Sequence, residues 1–381
     1  MAEIEIAHGI SELPRAEWDA LVAGGSPFLE WDWLASLEQS GAVCSAAGWT
    51  PRPMIARRDG RLVAACPLYV KGNSEGEFVF DFAWADAALR SGIRYYPKLL
   101  VGVPFTPVTG ERVLVAAGED RAAWLRRFGE ALRETCAEAG LSSVHVNFCP
   151  PGDLAPLEDA GFVPRLGIQY HWRNESYTSF GDFLSRFRSK RRNQILRERR
   201  EVRAAGVSIE ILEGDAIPDE LFPVMYRIYR ATVDAHPWGR PYLNERFFAL
   251  LAERFRQRLC FVIARQGGEV VAGAVNLRKG PALYGRYWGA LRPVRHLHFD
   301  VCYYTAVEHC IALGLDRFEP GAGGEFKQVR GFDPQPTYSA HFLAEPRLAR
   351  AIARHLDAER TQVERGLAWI RERSALKSAG D

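Results

Sequence analysis

Two stretches of this chain say nearly the same thing, and that repetition limits the folds open to it more than any other feature. Ile55 to Ala65 reads IARRDGRLVAA and runs on to Lys71; Ile263 to Gly273 reads IARQGGEVVAG and runs on to Lys279. Each copy is an apolar run, a two-residue turn closed by Gly60 or Gly268, and a second apolar run, the pattern of a β-hairpin with a primed turn. Upstream, Pro27, Phe28, Leu29, Trp33 and Leu34 are echoed by Pro241, Tyr242, Leu243, Phe247 and Phe248. A repeat of this kind predicts two structural copies of one domain.

Length agrees, since 381 residues exceed what one hydrophobic core usually serves. The boundaries expected are residues 1–171 and 172–381. A net charge of +2 gives no global field for nucleic acid or membrane, so any attraction to polyanions must be local. Seven scattered cysteines without a CxxC pair suit buried thiols in a reducing compartment. The amino terminus lacks the basic and apolar regions of a signal peptide, and no apolar stretch reaches membrane-spanning length. A cytoplasmic protein is expected, with peripheral contact at the inner face of the membrane left open.

Along the first half the patterning predicts a strand at Ile4 to Ala7, helices at about Pro14 to Val22 and Glu30 to Gln39, and the hairpin. Strands follow at Phe78 to Phe82, Tyr95 to Val103 and Arg112 to Val115, then a helix from Asp120 to Glu138 and a strand from Ser143 to Phe148. The second half predicts one helix from Phe180 to Ala205, a strand to Leu212, helices at Asp219 to Ala235 and Asn244 to Arg256, the repeated hairpin, and a strand through Leu283 to Trp288. Asp300 is read as the cap of a helix running to Leu313, followed by a strand at Arg317 to Glu319, a glycine loop, and a last strand and helix. The expected class is α/β (α+β): two mixed β-sheets, each flanked by helices.

The densest chemistry lies in Glu319 to Phe332. Four glycines there let backbone approach a ligand, while Glu325, Lys327 and Arg330 bring both signs of charge together; a long glycine turn with solvated charges has the same composition. Upstream, Gly285 interrupts a strand carrying Arg286, Tyr287 and Trp288, as glycine does at a bulge. His296, His298 and Asp300 suit a general base near neutral pH, or a simple anchor for the helix start; no third metal ligand sits at suitable spacing. Lys190, Arg191 and Arg192 belong to a cationic helix able to hold a pyrophosphate, a tRNA backbone or an acidic lipid surface, though such runs also serve as solvated faces. In the first half, Glu75, Glu77, Tyr96 and Lys98 sit among aromatics and prolines, as residues of a cleft wall do.

The stretches SEGEFVFDFAWADA, YYPKL and PFTPVTG in the first half, and SKRRNQILRERR, LYGRYWGA, HLHFDVCYY, GAGGEFKQVRGF and PTYSAHF in the second, resemble the FemAB-like N-acyltransferases over nearly the whole chain. That resemblance implies two tandem GNAT-like acyltransferase domains. It also implies transfer of an acyl or aminoacyl group from an activated donor, acyl-CoA or aminoacyl-tRNA, to an amine of a cell-envelope lipid or peptidoglycan precursor; ceramide formation from a sphingoid base is one candidate. The RxxGxG/A signature of acetyl-CoA binding is absent from both halves, which sets this chain apart from ordinary acetyltransferases.

These readings converge on an amide-forming N-acyltransferase. Glu325, His298 and Glu319, in that order, are the candidates for proton handling. Arg286, Tyr287, Trp288, Gly323, Lys327 and Arg330 are expected at the substrate with Glu75, Glu77, Tyr96 and Lys98, in a cleft between the halves; Lys190, Arg191 and Arg192 are expected at the donor, and no metal is called for. The competing reading is a recognition module that keeps the fold and binds a lipid or cell-wall fragment without chemistry. RNA binding through the arginine helix is a third.

Overall fold

A computed structural model describes residues 2–235, 239–324 and 326–377. The chain forms two compact units, Met1–Ile168 with Pro336–Arg365 and Gln169–Gln335 with Gly366–Asp381. Residues 336–365, which a simple halving of the sequence assigns to the second domain, therefore pack with the first.

The first unit contains β1 (Glu3–Ile6), α1 (Arg15–Val22), α2 (Trp31–Gln39), β2 (Trp49–Pro51), β3 (Met54–Arg58), β4 (Arg61–Cys66), β5 (Leu68–Lys71), α3 (Phe82–Arg90), β6 (Lys98–Val101), β7 (Leu114–Val115), α4 (Arg121–Glu138), β8 (Ser143–Cys149) and α5 (Leu154–Asp159). The strand β9 (Val163–Arg173) then carries the chain into the second unit. There follow α6 (Phe180–Ser185), α7 (Ser189–Ala204), β10 (Val207–Glu213), α8 (Leu221–Asp234), α9 (Glu245–Arg254), β11 (Leu259–Gln266), β12 (Glu269–Lys279), β13 (Ala282–Ala290), α10 (Leu297–Phe299), a π-helical turn (Asp300–Tyr304), α11 (Thr305–Ala312) and β14 (Arg317–Glu319). Next, β15 (Asp333–Leu343) returns the chain to the first unit, and α12 (Pro346–Glu372) ends the described structure. Among the described residues no helix is long and apolar enough to cross a membrane.

The repeated hairpin is structural in detail. In β3–β4, Ala56 faces Ala64 and Arg57 faces Leu62, with a bulge between the two rungs. In β11–β12, Ala264 faces Ala272 and Arg265 faces Val270, with the bulge at the same place. Both turns have two left-handed residues, Asp59 and Gly60 (φ 51° and 77°) and Gly267 and Gly268 (φ 60° and 84°), which is the type I′ geometry that matches strand twist. Even the neighbouring strand repeats: Glu5 of β1 accepts a bond from Arg57 at 3.2 Å, and Glu210 of β10 from Arg265 at 2.6 Å.

In the first unit β5 pairs antiparallel with β6, β6 parallel with β8, and β8 antiparallel with β15. In the second, β12 pairs antiparallel with β13, β13 parallel with β14, and β14 antiparallel with β9. The last strand of each sheet thus comes from the far side of the sequence midpoint. The helix α4 shows why such sheets need helices. Asp120 caps it by accepting from the Ala123 N–H at 3.0 Å, and Trp124, Leu125, Phe128 and Leu132 lie on one face against Leu99, Val101, Val144 and Val146. Each such side chain contributes about 1.5–3 kcal/mol on burial.

Three local expectations are overturned. Residues 78–82 are not a strand: Glu77 and Asp81 turn inward to Lys98, and α3 begins at Phe82. The helix read over Phe180 to Ala205 is two, broken where the Arg186 carbonyl accepts the Lys377 N–H at 2.7 Å instead of bonding within a helix. Asp300 does not cap a helix; the helical run starts at Leu297, after His296 in the left-handed region (φ 64°), and the Asp300 carboxylate pairs with Arg199 at 3.1 Å.

Candidate functional site

Within the second unit, β13 and β14 share three parallel rungs, ending at Tyr284 opposite Glu319. Beyond that rung β13 continues to Ala290 while β14 stops, so the strands part into a wedge. Arg286 is an extra residue in β13, since Val275 faces Tyr287 and Asn276 faces Gly285; the bulge bends the strand away from β14. Glycine is required where the strands separate. A Cβ on Gly285 would lie 3.1 Å from Pro320 Cα and one on Gly321 3.2 Å from the Gly285 carbonyl oxygen, and Gly321 itself has φ 89°. Past this point β14 no longer runs beside β13.

A cavity of about 270 Å³ opens at the wedge. It brings together Arg286, Tyr287, Trp288, His298, Gly323 and Lys327 from the sequence-predicted set. His298 is packed beside Trp288, with ring centres 5.0 Å apart; burial, reinforced by Arg330 and Lys327, pushes its imidazole down to about 4. It is therefore neutral at physiological pH and a weak proton acceptor. Burial also pushes the Lys327 ammonium down to about 8, and its donors go to the carbonyls of Gly321 and Ala322, which holds the glycine loop against the wedge. Glu325 lies outside the described residues.

Glu319 faces the opposite side of the sheet. Phe318 packs with Tyr303 and Val307 on the helical side, and strand alternation turns its neighbour the other way. There Glu319 Oε1 accepts from Arg317 Nε at 2.9 Å, and Arg317 donates to the Tyr284 hydroxyl at 2.8 Å. Glu319 Oε2 is buried without a hydrogen bond, and His171 Nε2 stands 3.8 Å from it. The wedge thus has an aromatic cavity on one face and an unsatisfied carboxylate oxygen on the other.

Arg330 is not available to hold a substrate. It is buried, donates to the Tyr304 hydroxyl at 2.8 Å and to Glu198 at 3.2 Å, and lies 3.4 Å over the Phe299 ring. A buried guanidinium needs such a partner, and Glu198 supplies it. On α7, Lys190 is exposed, whereas Arg191 is half-buried and bonds Gln194 at 2.9 Å. Arg192 is half-buried on the same turn; Lys190, Arg197 and Arg200 line a shallow surface hollow.

The four predicted residues of the first unit belong to a polar network beneath α3. Lys98 is fully buried and donates to Glu77 at 2.9 Å, to Ser74 at 3.0 Å and to Asp81. Lys98 and Glu77 are therefore bonded to each other inside the protein and do not form a cleft wall. Burial outweighs Lys98 at Glu77, whose carboxyl is pushed up to about 7, and it pushes the neighbouring Lys71 down to about 7. The half-buried Tyr96 hydroxyl meets Ser74 Oγ at 2.7 Å, and the backbone of half-buried Glu75 bonds Asn73 at 3.0 Å.

The two units compare position by position. In the register of the parallel strands His145 of β8 stands where Glu319 stands in β14, and His341 of β15 faces it as His171 faces Glu319. In the first unit the backbone just past the last parallel rung, Val101 with Val146, is occupied: Arg112, fully buried, donates to the carbonyls of Asn147 and Val108 at 2.6 Å each and Gly110 at 3.0 Å. In the second unit a cavity lies beside the glycines at the matching place. His171 escaped the reading of local motifs; its signal was a second echo, GIQYHW against TYSAHF, which places His171 and His341 alike.

The fold is known from solved structures. The C-terminal domain of a putative lysylphosphatidylglycerol synthetase from Agrobacterium fabrum superposes with a TM-score of 0.55 at 13% identity, over 90% of this chain and 95% of that one. L-PGS from Bacillus licheniformis does so with 0.54 at 11%, over 92% and 97%. FemX gives 0.55 at 12%, over 92% and 100%, so the mixed α/β fold is shared across the chain. None of the curated proteins matches it in sequence. Over residues 9–378 the sequence fits the FemAB-like family, described as peptidoglycan biosynthesis/recognition, and the chain belongs to that family.

Proposed function

We propose that this protein is an amide-forming N-acyltransferase whose second unit carries the reaction. The observation that supports this most strongly is the wedge: two parallel strands part at a pair of glycines, with an aromatic cavity on one face and the unsatisfied Glu319 oxygen on the other. An activated acyl group seated on the cavity side presents its carbonyl at Gly285, where backbone N–H groups stabilise the oxyanion. The acceptor amine approaches from the Glu319 side. As nitrogen bonds to the acyl carbon and the carbon–sulfur or carbon–oxygen bond breaks, the amine proton passes to Glu319, which later releases it to solvent, while the leaving thiolate or alkoxide takes a proton from solvent. His298, neutral and on the cavity side, shapes the donor pocket. The donor is an acyl-CoA or an aminoacyl-tRNA, and the acceptor an amine of an envelope lipid or peptidoglycan precursor, a sphingoid base being one to try. The surface hollow of α7 at Lys190 suits the anionic part of the donor.

The test is to incubate the protein with a panel of acyl-CoAs or charged tRNA and candidate amines, then look for a new amide by mass spectrometry. Wild type yields product with at least one pair, and Glu319→Gln lowers turnover by roughly 10²-fold or more with an unchanged melting temperature. Full turnover in Glu319→Gln places the base elsewhere. Acceptor binding without product from any donor favours a recognition module over a transferase.

A further inference from the structure

Away from the wedge, the end of β10 and the start of β11 place Glu213 and Cys260 directly opposite each other in the antiparallel ladder, so both side chains leave the same face of the sheet. The helix α11 packs on that face and lowers His309 onto the pair: its Nε2 lies 2.9 Å from Glu213 Oε1. The thiol sulfur, the imidazole nitrogen and the carboxylate oxygen all fall within 4.8 Å of one another, and Cys260 is fully buried. We propose that Glu213, Cys260 and His309 form a structural site for a divalent transition-metal ion, zinc by preference.

The donor set is the first argument. Sulfur, imidazole nitrogen and carboxylate oxygen together match the borderline-soft ions, with zinc at their head, and do not match calcium or magnesium, which take oxygen alone. The second is size. Bonds of about 2.0–2.3 Å in a tetrahedron set the ligand atoms about 3.3–3.8 Å apart, which these three reach by shifts of a few tenths of an ångström to about one ångström. The third is charge and support. A thiolate and a carboxylate cancel a divalent ion, and Arg278 grips Glu213 at 3.1 Å through both Nε and Nη2, orienting it as outer partners orient metal ligands. On binding, the Cys260 thiol releases its proton to water and the imidazole keeps its proton on Nδ1, freeing Nε2. The fourth position is left to a water molecule.

The consequence is local. The ion would tie the edge strand β10 and its neighbour β11 to α11, the helix that continues from the π-helical turn bearing Cys302 and Tyr303 at the cavity.

The full-length protein, stripped with a chelator and dialysed, is titrated with Zn²⁺ and separately with Co²⁺. One ion per chain is expected by elemental analysis, a thiolate-to-cobalt charge-transfer band in the Co²⁺ form, and a rise in melting temperature on adding Zn²⁺. Cys260→Ser is expected to lose the band and at least ten-fold in affinity, and His309→Gln at least ten-fold in affinity, while Cys66→Ser in the first unit changes neither. Absence of stoichiometric binding by folded wild type overturns the proposal, and so does a charge-transfer band that persists in Cys260→Ser. If Cys260→Ser fails to fold, His309→Gln decides alone: unchanged affinity overturns the site.

Discussion

Replacing His145 with asparagine tests how the first unit handles its buried histidines. The Nδ1 atoms of His145 and His341 are 2.7 Å apart, so one ring must donate and the other accept. Their outer nitrogens meet Ser143 at 2.9 Å and Ser339 at 2.8 Å. A proton added to the accepting ring sets two donors face to face, and one added to the other ring puts a charge in a site without water contact. Burial, with Lys98 nearby, accordingly pushes His145 down to about 3. With the folded value below the unfolded one of about 6.5, the unfolded chain takes up the proton first; stability is whole above that pH and is lost as pH falls from about 6.5 toward 3. The slope is about 1.4 kcal/mol per pH unit, so His145 alone costs wild type about 2 kcal/mol by about pH 5. Asparagine places an amide near Nδ1 but reaches neither Ser143 nor the full ring volume, for a cost of about 1–3 kcal/mol at neutral pH. It does not titrate. The stability gap between the two proteins should therefore narrow by about 2 kcal/mol between about pH 7.5 and 5. Glu38 and Glu77, both pushed up to about 7, titrate in this range with the opposite sign, but they are common to both proteins and drop out of the difference. Urea unfolding followed by tryptophan fluorescence at several pH values measures the gap. A gap that stays constant or widens on acidification refutes the neutral pair.

Gly285→Val should close the wedge, because the new side chain meets Pro320 Cα and Asn276 Oδ1 within 3.3 Å at Cβ alone; a loss of about 1–3 kcal/mol in denaturant and of amide formation is expected. Wild-type turnover in that variant would remove the wedge from the reaction path. Gly289→Ala should destabilise by about 3 kcal/mol or more in a urea titration, since its Cβ would fall 1.8 Å from the Ile228 carbonyl oxygen of α8, whereas Gly268→Ala, in open space at φ 84°, should cost only about 1–2 kcal/mol. Arg330→Met strands the Glu198 carboxylate and should cost about 3–5 kcal/mol by the same measurement; adding Glu198→Gln should recover part of it.

What could be read from the sequence was what neighbours dictate. Period-two alternation around Asp59–Gly60 and Gly267–Gly268 specifies hairpins because turn geometry and strand twist are local properties. Gly285, Gly321, Gly323 and Gly324 were legible for the same reason. Phe78, Phe80 and Phe82 also alternate, yet Phe80 and Phe82 are exposed, because Asp81 between them is drawn inward by Lys98. Arg330 reads as a free cation until Glu198, 132 residues upstream, is brought against it. Likewise His171 gains meaning only when β9 is laid beside β14, a pairing that no window of sequence contains.

The exchange of final strands has a consequence that the internal repeat conceals. Two copies of one domain suggest two pieces that fold alone, and a cut near residue 171 looks natural. Yet in the first unit Ser143 to Cys149 of β8 pair with Tyr338 to Leu343 of β15, and Leu343, Leu348, Ile352 and Leu356 are buried with Trp84, Ala88 and Tyr95. Four such side chains contribute on the order of 6–12 kcal/mol, as much as the whole net stability of a typical domain, about 5–15 kcal/mol. Residues 1–171 expressed alone should therefore lack a cooperative urea transition and aggregate through the bared edge of β8. The same fragment with residues 336–365 joined by a flexible linker should unfold cooperatively. A sharp transition in residues 1–171 alone would show that the returning strand and helix are an accessory layer, and that each half of the repeat carries its own complete core.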